Sequence, residues 1–529
     1  MANSRRLKSQ SRHSTTARDP TALVDAASPR VDAAMSLWRE GRRTEAHELL
    51  REATRLEPRN LRPYVAAARA YAEQFRFDKM EDLLGQLVQL GPQHPGVHHY
   101  RGEIYGSLKL PIKAIECYEC AARLPGALPP TWMELAGLYE SAHRLDEAHE
   151  LIERTVGAGF DLPLVWLVRG RIQRRRGEFE QAEATFRELA ARLPDSEWAC
   201  QAWGEVALMR DRQADYAGAV AAIEECKQSQ RKRETRLLTA SDQAHVRLRK
   251  MIVDLSRDDF ARWRDEAAEL PTMNMALLTG FPRSGTTLLE QLLDAHPELV
   301  SSEERDFVGR ELVSQVMTKQ GAKPVAEIYR DLSLTKIASL RERYFPAMQY
   351  LLGESIGDRI HLDKNPAYNL TIPLMLRVFP ETRLVVALRD PRDVVLSCYL
   401  RYLPLNSVSV RFLTPERTAE RYALDMSAWL QFRELIDNPW CEVRYEDTVH
   451  DPAHQAQRAL ETLGLEWDNQ VLNYRERLGS QKVVTSPTYE AVAQPVHTQA
   501  IGRWQHYQQL LAPAMKHLAP YVKAFGYDL

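Results

Sequence analysis

Two glycines five residues apart bound the loop Gly280-Phe281-Pro282-Arg283-Ser284-Gly285, with the apolar run Met275-Ala276-Leu277-Leu278 before it and Thr286-Thr287-Leu288-Leu289 after it. The first run reads as a buried strand and the second as the opening turn of a helix. Backbone N–H groups left unpaired at that helix start, together with the positive end of its dipole, suit a phosphate or a similar anion. The spacing matches a nucleotide P-loop, but the lysine that should follow the second glycine and reach the β- and γ-phosphates is Thr286. Arg283 is the loop's fixed cation. An anion loop without that lysine argues against an ordinary ATPase or GTPase.

Further charged and hydroxyl residues stand at the ends of later apolar runs. Arg359-Ile360-His361-Leu362 leads into Asp363-Lys364-Asn365-Pro366, Arg383 to Leu388 leads into Arg389-Asp390-Pro391-Arg392 and on to Ser397, and a fourth run from Cys441 carries Tyr445. Strand and helix patterns alternate here, which predicts an α/β domain with a mostly parallel sheet. Ligands of such sheets sit beyond the carboxyl ends of the strands, where Arg283, Lys364, Arg389, Ser397 and Tyr445 would converge. His296, in Asp-Ala-His-Pro at a helix end, reads as a capping or packing residue. The six cysteines form no disulfide framework. Cys117 and Cys120 have Cys-x-x-Cys spacing but no second pair and no histidine partner, so they read as buried helix residues, and no metal site is expected.

The elements ahead of the loop repeat every 34 residues. Small residues recur at Ala34, Ala68, Gly102, Ala136 and Gly170; Ala46, Met80, Ala114, Ala148 and Ala182 follow twelve positions later. Large apolar residues come four positions after those, at Leu50, Leu84, Tyr118, Ile152 and Phe186. This is the helix-turn-helix pattern of tetratricopeptide repeats, in which small residues let helices approach and large ones fill the next gap. Ala207 and Ala219 keep the internal spacing of a sixth unit displaced by three residues, which suggests an altered last turn. The expected organisation is a disordered tail at 1–29, repeats over 30–230, a basic helical connector at 231–271 that includes Arg231-Lys232-Arg233, and the α/β domain at 272–529.

At 529 residues with 44% hydrophobic and 27% charged residues, the composition is that of an ordinary globular protein. A net charge of -2 argues against general nucleic-acid binding. No run approaches the length of a transmembrane segment, and the basic N-terminus lacks the apolar stretch of a signal peptide, so a cytoplasmic protein is expected.

Pro282-Arg283-Ser284-Gly285-Thr286-Thr287-Leu288, Leu293-Asp294-Ala295-His296-Pro297 and Glu303-Glu304 resemble the 5′-phosphosulfate loop and following helix of sulfotransferases, above all the tyrosylprotein sulfotransferases. Asp363-Lys364-Asn365-Pro366, the stretch from Arg389 through Ser397 to Arg401, the strand carrying Tyr445 and the terminal Phe525-Gly526-Tyr527-Asp528 resemble later sites of that family in the same order. The resemblance covers residues 272–529. The fusion to repeats resembles a bacterial class of repeat-containing sulfotransferases. It implies a P-loop-type α/β domain that takes a sulfuryl group from 3′-phosphoadenosine 5′-phosphosulfate (PAPS), without metal.

On that resemblance, Ser284, Gly285, Thr286 and Thr287 hold the 5′-phosphosulfate, Arg283 and Lys364 stabilise the leaving group, and Glu304 is the general base, with its neighbour Glu303 as the fallback. The 3′-phosphate falls to Arg389, Ser397 and Arg401. Ser486-Pro487-Thr488-Tyr489 through Gln494-Pro495 and then Gly502-Arg503-Trp504 resemble the segment that covers the donor. The chain departs from the tyrosylprotein enzymes at Gln494, where they carry a lysine; the positive charge is then expected from Arg503. A protein tyrosine held by the repeats is the favoured acceptor, with a glycan, a lipid or a small metabolite as alternatives. A repeat scaffold with an inactive nucleotide-binding domain is the contrasting reading. The array serving only as spacer or homodimer surface stays open. Because every expected donor residue follows Gly280, a chain beginning near Asp254 is expected to keep donor binding.

Overall fold

The computed structural model of the protein describes residues 23–317, 320–475 and 498–529. Six helical hairpins come first: α1 (Pro29–Arg39) with α2 (Arg43–Leu56), α3 (Leu61–Glu73) with α4 (Phe77–Leu90), α5 (Pro95–Ser107) with α6 (Pro111–Arg123), α7 (Pro129–Ser141) with α8 (Leu145–Gly157), α9 (Pro163–Arg175) with α10 (Phe179–Arg192), and α11 (Glu197–Arg212) with α12 (Tyr216–Arg231). Many open with proline in the first turn, where its missing N–H costs nothing.

The repeat register has a direct packing cause. A β-carbon on Gly102 would lie 2.9 Å from the Tyr118 ring, and one on Gly170 would lie 2.5 Å from the Phe186 ring. In the units where the facing residue is aliphatic, Leu50, Leu84 or Ile152, the small residue is alanine and fully buried. Size is therefore balanced across each hairpin: glycine meets a ring, alanine meets a branched aliphatic. The sixth unit obeys the same rule with Ala207 and Ile223. Its displacement comes from α11, which has 16 residues where α9 has 13, so that Arg210-Asp211-Arg212 form an added turn. The turns between paired helices record the same shift. Left-handed residues fall at Gly41, Phe75, Lys109, His143 and Gly177 and then, three residues late, at Ala214.

Two more helices, α13 (Thr235–Asp254) and α14 (Arg257–Glu266), lead to the sheet. Five parallel strands lie in the order β2-β3-β1-β4-β5: β1 Met275–Gly280, β2 Leu299–Ser301, β3 Ile360–Lys364, β4 Arg383–Leu388 and β5 Trp440–Arg444. Strand β1 is central and buried throughout, as its apolar sequence requires. Helix α15 (Thr286–Asp294) follows it across the glycine loop. Helices cover both faces, with Leu288, Leu292 and Leu293 of α15 and Ala456 and Leu460 of Pro452–Leu463 buried on one of them.

Several elements differ from the sequence-based reading. Strand β2 has three residues, too few to show a pattern. Lys364 is the last residue of β3 and not beyond it. Tyr445 opens the short helix Tyr445–His450, so it does not lie on the strand. The helix after β4 ends at Tyr399, which leaves Arg401 past its end and off the helical face of Ser397.

The array is not a separate arm. In the hairpin turns, Phe75 packs edge-on against Phe307 at 4.8 Å, and the Lys109 ammonium donates to the Glu304 carbonyl at 3.0 Å. Arg305 returns a bond to the Leu108 carbonyl at 2.9 Å. At the other end, Lys227 donates to the Arg401 carbonyl and Gln230 to the Leu403 carbonyl, both at 2.8 Å. No described helix is long and apolar enough to cross a membrane.

The size rule across the hairpins is testable. Gly102→Ala should cost about 1–3 kcal/mol through overpacking against Tyr118. Adding Tyr118→Leu should then stabilise the alanine variant instead of compounding the loss, as read by urea denaturation. Strict additivity of the two changes would refute the pairing.

Candidate functional site

At the carboxyl end of β1 the chain turns through conformations that explain both glycines. Gly280 has φ 154°, and a β-carbon there would lie 2.5 Å from the Ala387 carbonyl oxygen; Gly285 has φ 94°, and one there would meet the Tyr445 ring at 2.6 Å. Arg283 also adopts a positive φ of 75°. That conformation is uncommon for a side-chain-bearing residue and turns Arg283 inward. Its Nε donates to Ser397 Oγ at 3.1 Å.

Around Arg283 stand three further guanidiniums. Arg389 donates to the Arg283 carbonyl at 3.1 Å and also to the Ala500 carbonyl, and its guanidinium lies 4.9 Å from the centre of the Tyr445 ring. Arg401 lies past the Ser397 helix, and Arg503 is paired with Asp211 of α11. Burial, reinforced by Arg401, Arg389 and Arg503, pushes the Arg283 guanidinium down to about 9. Positive charge is therefore costly at this loop, and an anion bound there would offset that cost. Two buried polar atoms there, Ser284 Oγ and Arg389 Nε, have no hydrogen-bond partner. With the backbone held open by Gly285, they fit a ligand with several anionic oxygens.

A second cluster lies across the start of α15. The Lys364 ammonium, 1% exposed, sits 3.2 Å from a Glu290 carboxylate oxygen and 2.9 Å from Glu304, and it reaches Thr287 Oγ1 at 3.4 Å. Burial opposes its charge, but the two carboxylates outweigh that and hold the lysine above its ordinary range. Glu304 is driven the other way. Burial is its largest influence and would raise it, yet Lys364, Lys109 and Arg283 together hold it below the usual carboxylate range. Glu290 is pushed up to about 7 by burial and is hydrogen-bonded by Ser301.

Both clusters border one cavity of about 760 Å³. Arg283, Gly285, Thr286, Thr287, Glu304, Arg389, Arg401 and Tyr445 line it. Ser284, Lys364, Ser397 and Arg503 stand behind that lining, in contact with it or with its charges. Glu304 faces the cavity and Glu303 does not. The backbone between them is not extended, since Glu303 has a left-handed φ of 52°.

Gly502 and Trp504 do not line the cavity. Their backbone N–H groups are fixed by Asp393 at 2.7 and 2.8 Å, and the Trp504 ring packs 3.8 Å below the Arg392 guanidinium. Ser486 lies outside the described residues.

Sequence reasoning missed three groups. Glu290 was visible as the one acid amid Leu288, Leu289, Leu292 and Leu293 on a helix buried all round. Asp393 was legible only as part of a charged tetrad. Asp211 carried no local signal, because its role depends on residues 292 positions away: it accepts from Arg503, and from the Tyr507 hydroxyl at 2.7 Å.

Residues 276–469 match the model of the sulfotransferase family, and 31–95 and 133–197 match a tetratricopeptide-repeat model. Protein-tyrosine sulfotransferase 2 of Gallus gallus is 27% identical over 267 residues, which cover 48% of this chain and 70% of that protein. Protein-tyrosine sulfotransferase A of Caenorhabditis elegans is 25% identical over 262 residues, covering 49% and 68%. Among solved structures, the sulfotransferase domain of the Synechococcus PCC 7002 olefin synthase aligns with a TM-score of 0.35 and 19% identity, covering 49% of this chain and 98% of that one. A tetratricopeptide-repeat array here precedes a sulfotransferase-family domain, and the chain is a sulfotransferase, an enzyme that draws on a sulfuryl donor.

Proposed function

We propose that the enzyme uses PAPS and transfers its sulfuryl group to a hydroxyl, that of a protein tyrosine, by in-line displacement with Glu304 as general base. The observation that carries this reading is the placement of an ionised, cavity-facing carboxylate beside Lys364 and Thr287, with four guanidiniums gathered at the adjacent loop. The donor supplies a sulfuryl group on a phosphate leaving group. A sulfuryl group carries less negative charge than a γ-phosphoryl group, which lowers the demand for a bridging metal and fits the absence of a Walker lysine at Thr286.

The N–H groups of Gly285 to Thr287, with the Ser284, Thr286 and Thr287 hydroxyls, hold the 5′ end, since the Ser284 N–H is taken by the Phe281 carbonyl at 3.0 Å. Arg283 and Lys364 counter negative charge that grows on the leaving oxygen. Arg389, Ser397, Arg401 and Arg503 serve the 3′-phosphate, with Tyr445 as an aromatic surface beside them and the Gly502 turn setting Arg503. Glu304 takes the acceptor proton at its carboxylate oxygen, and Glu290 keeps Lys364 charged as that happens. The names of the relatives, at 25% and 27% identity, support a tyrosine acceptor.

Calorimetric titration in EDTA should give tight binding of PAPS and of its 3′,5′-bisphosphate product and weak binding of ATP; equal affinity for ATP would overturn the donor assignment. Glu304→Gln should lower kcat by about 10²–10⁴-fold with bisphosphate affinity nearly unchanged, whereas Arg283→Ala should impair both. A crippled Glu303→Gln beside an active Glu304→Gln would move the base by one residue.

The expectation that the catalytic half is separable is revised by Asp211 and Lys227. A chain beginning near Asp254 lacks both, so its bisphosphate affinity should fall by at least tenfold in the same titration. Affinity equal to the full chain would show that the last repeat does not hold the site.

A further inference from the structure

Glu304 stands on a segment that no helix or strand carries. It follows β2, and the left-handed Glu303 turns the backbone just ahead of it. The catalytic half anchors both flanks of this segment. The Ser302 N–H donates to the Leu362 carbonyl at 3.1 Å and the Glu303 N–H to Ser301 Oγ at 3.3 Å, while the Asp306 carboxylate accepts from the Tyr368 hydroxyl at 2.8 Å. Between those anchors the repeats reach in. Lys109, at the left-handed position of the turn from α5 to α6, donates its ammonium to the Glu304 carbonyl at 3.0 Å. Arg305 points the other way and donates to the Leu108 carbonyl at 2.9 Å and to that of Lys109. Phe75, from the preceding hairpin turn, closes on Phe307 at 4.8 Å.

Glu304 is therefore gripped at two ends, by Lys364 at 2.9 Å from its carboxylate and by Lys109 at its carbonyl. One lysine belongs to the sheet and the other to the third repeat. Fixing that carbonyl fixes the peptide plane after Glu304, and so limits the direction in which its side chain leaves the backbone. The charged groups about the carboxylate are Lys364 and Arg283 from the catalytic half, Lys109 from the repeats, the neighbours Glu303 and Arg305, and Glu290 behind Lys364. Burial opposes ionisation of Glu304, and Lys364, Lys109 and Arg283 together outweigh it.

We propose that Lys109 is a positioning residue for sulfuryl transfer: from the third repeat it holds the segment that bears the base, which makes the array part of the catalytic machinery. The proposal rests on the reading of Glu304 as general base and deepens it. Lys109 does not line the cavity, so it acts through Glu304 and not on a substrate. Its removal takes one cation from beside the carboxylate. The base then holds its proton more tightly, and the acid limb of kcat/KM, below which the base is protonated and idle, moves to higher pH. Lys109 is exposed, so water can satisfy the freed carbonyl, and what is lost is placement and charge instead of the fold.

The test compares Lys109→Met and Lys109→Arg in the full chain with Glu304→Gln and with Tyr350→Phe, which loses a different bond between the halves, the one from its hydroxyl to Glu81. Hydrogen–deuterium exchange with 3′,5′-bisphosphate bound needs no acceptor. Lys109→Met should speed exchange over residues 302–307 several-fold, while Lys109→Arg and Tyr350→Phe leave it unchanged. With PAPS and a tyrosine peptide, Lys109→Met should lower kcat about tenfold and move the acid limb to higher pH, with unchanged calorimetric affinity for the bisphosphate. Lys109→Arg should restore most of the rate. Unmoved exchange or an unmoved acid limb in Lys109→Met, beside a crippled Glu304→Gln, would overturn the proposal and leave the base reading standing. An equal loss in Tyr350→Phe would overturn it as well, by assigning the effect to docking in general. Wild-type turnover in Glu304→Gln would overturn the base reading and the proposal together. No transfer to the peptide by the wild-type protein would overturn the tyrosine reading, and the exchange rates would then decide on Lys109.

Discussion

Four guanidiniums crowded around one buried loop repel one another, and much of the surrounding structure exists to hold them there. Arg283 is fixed by a left-handed backbone and by Ser397, and Arg389 by two backbone carbonyls. Arg503 is held by a carboxylate from the far half of the chain. The backbone of Arg401 is held in its turn by Lys227, itself buried and pushed down to about 8 by that burial. In a low-dielectric setting such repulsion costs several kcal/mol, so packing and hydrogen bonds elsewhere must offset it until an anion arrives.

Lys364 shows the opposite balance. It stands between two carboxylates in a fully buried place, and the two acids end on different sides of their ordinary range. The difference follows from surroundings: Glu304 also senses Lys109 and Arg283, while Glu290 is deep in an apolar helix next to the acids Glu303 and Asp294. Two carboxylates on one lysine can thus have separate duties, one exposed to the cavity and one anchoring the cation from behind.

Much of this was legible in the sequence because it rests on short-range rules. The glycines at 280 and 285, the apolar strands β1 and β4, the alternating strand β5, and the alternation of small and large residues in the repeats each follow from local sterics. Strand β2 was not visible, since three residues carry no periodicity. The union of the two halves was also hidden. Some of its bonds run from long side chains to backbone carbonyls, as in Lys227 to Arg401, which any residue type can supply, and others join side chains nearly three hundred positions apart, as in Arg503 to Asp211. The three-residue displacement of the sixth repeat was in plain view, but its meaning required knowing that the added turn ends beside Arg503. For the same reason the expectation that a chain beginning near Asp254 keeps donor binding took no account of Asp211.

In the hairpin turns, the left-handed positions that glycine fills at Gly41 and Gly177 carry Phe75, Lys109 and His143 in the units between. Those side chains accept backbone strain that glycine would avoid, and two of them, Phe75 and Lys109, spend it on contacts with the Glu304–Phe307 segment. A stretch of sequence that is merely a joint in other repeats has become a bearing surface here. Transplanting the array into another protein would therefore bring unsupported aromatic and cationic tips with it, and replacing it by a generic array would leave the segment that carries Glu304 without its outer brace. The two halves are bound to change together.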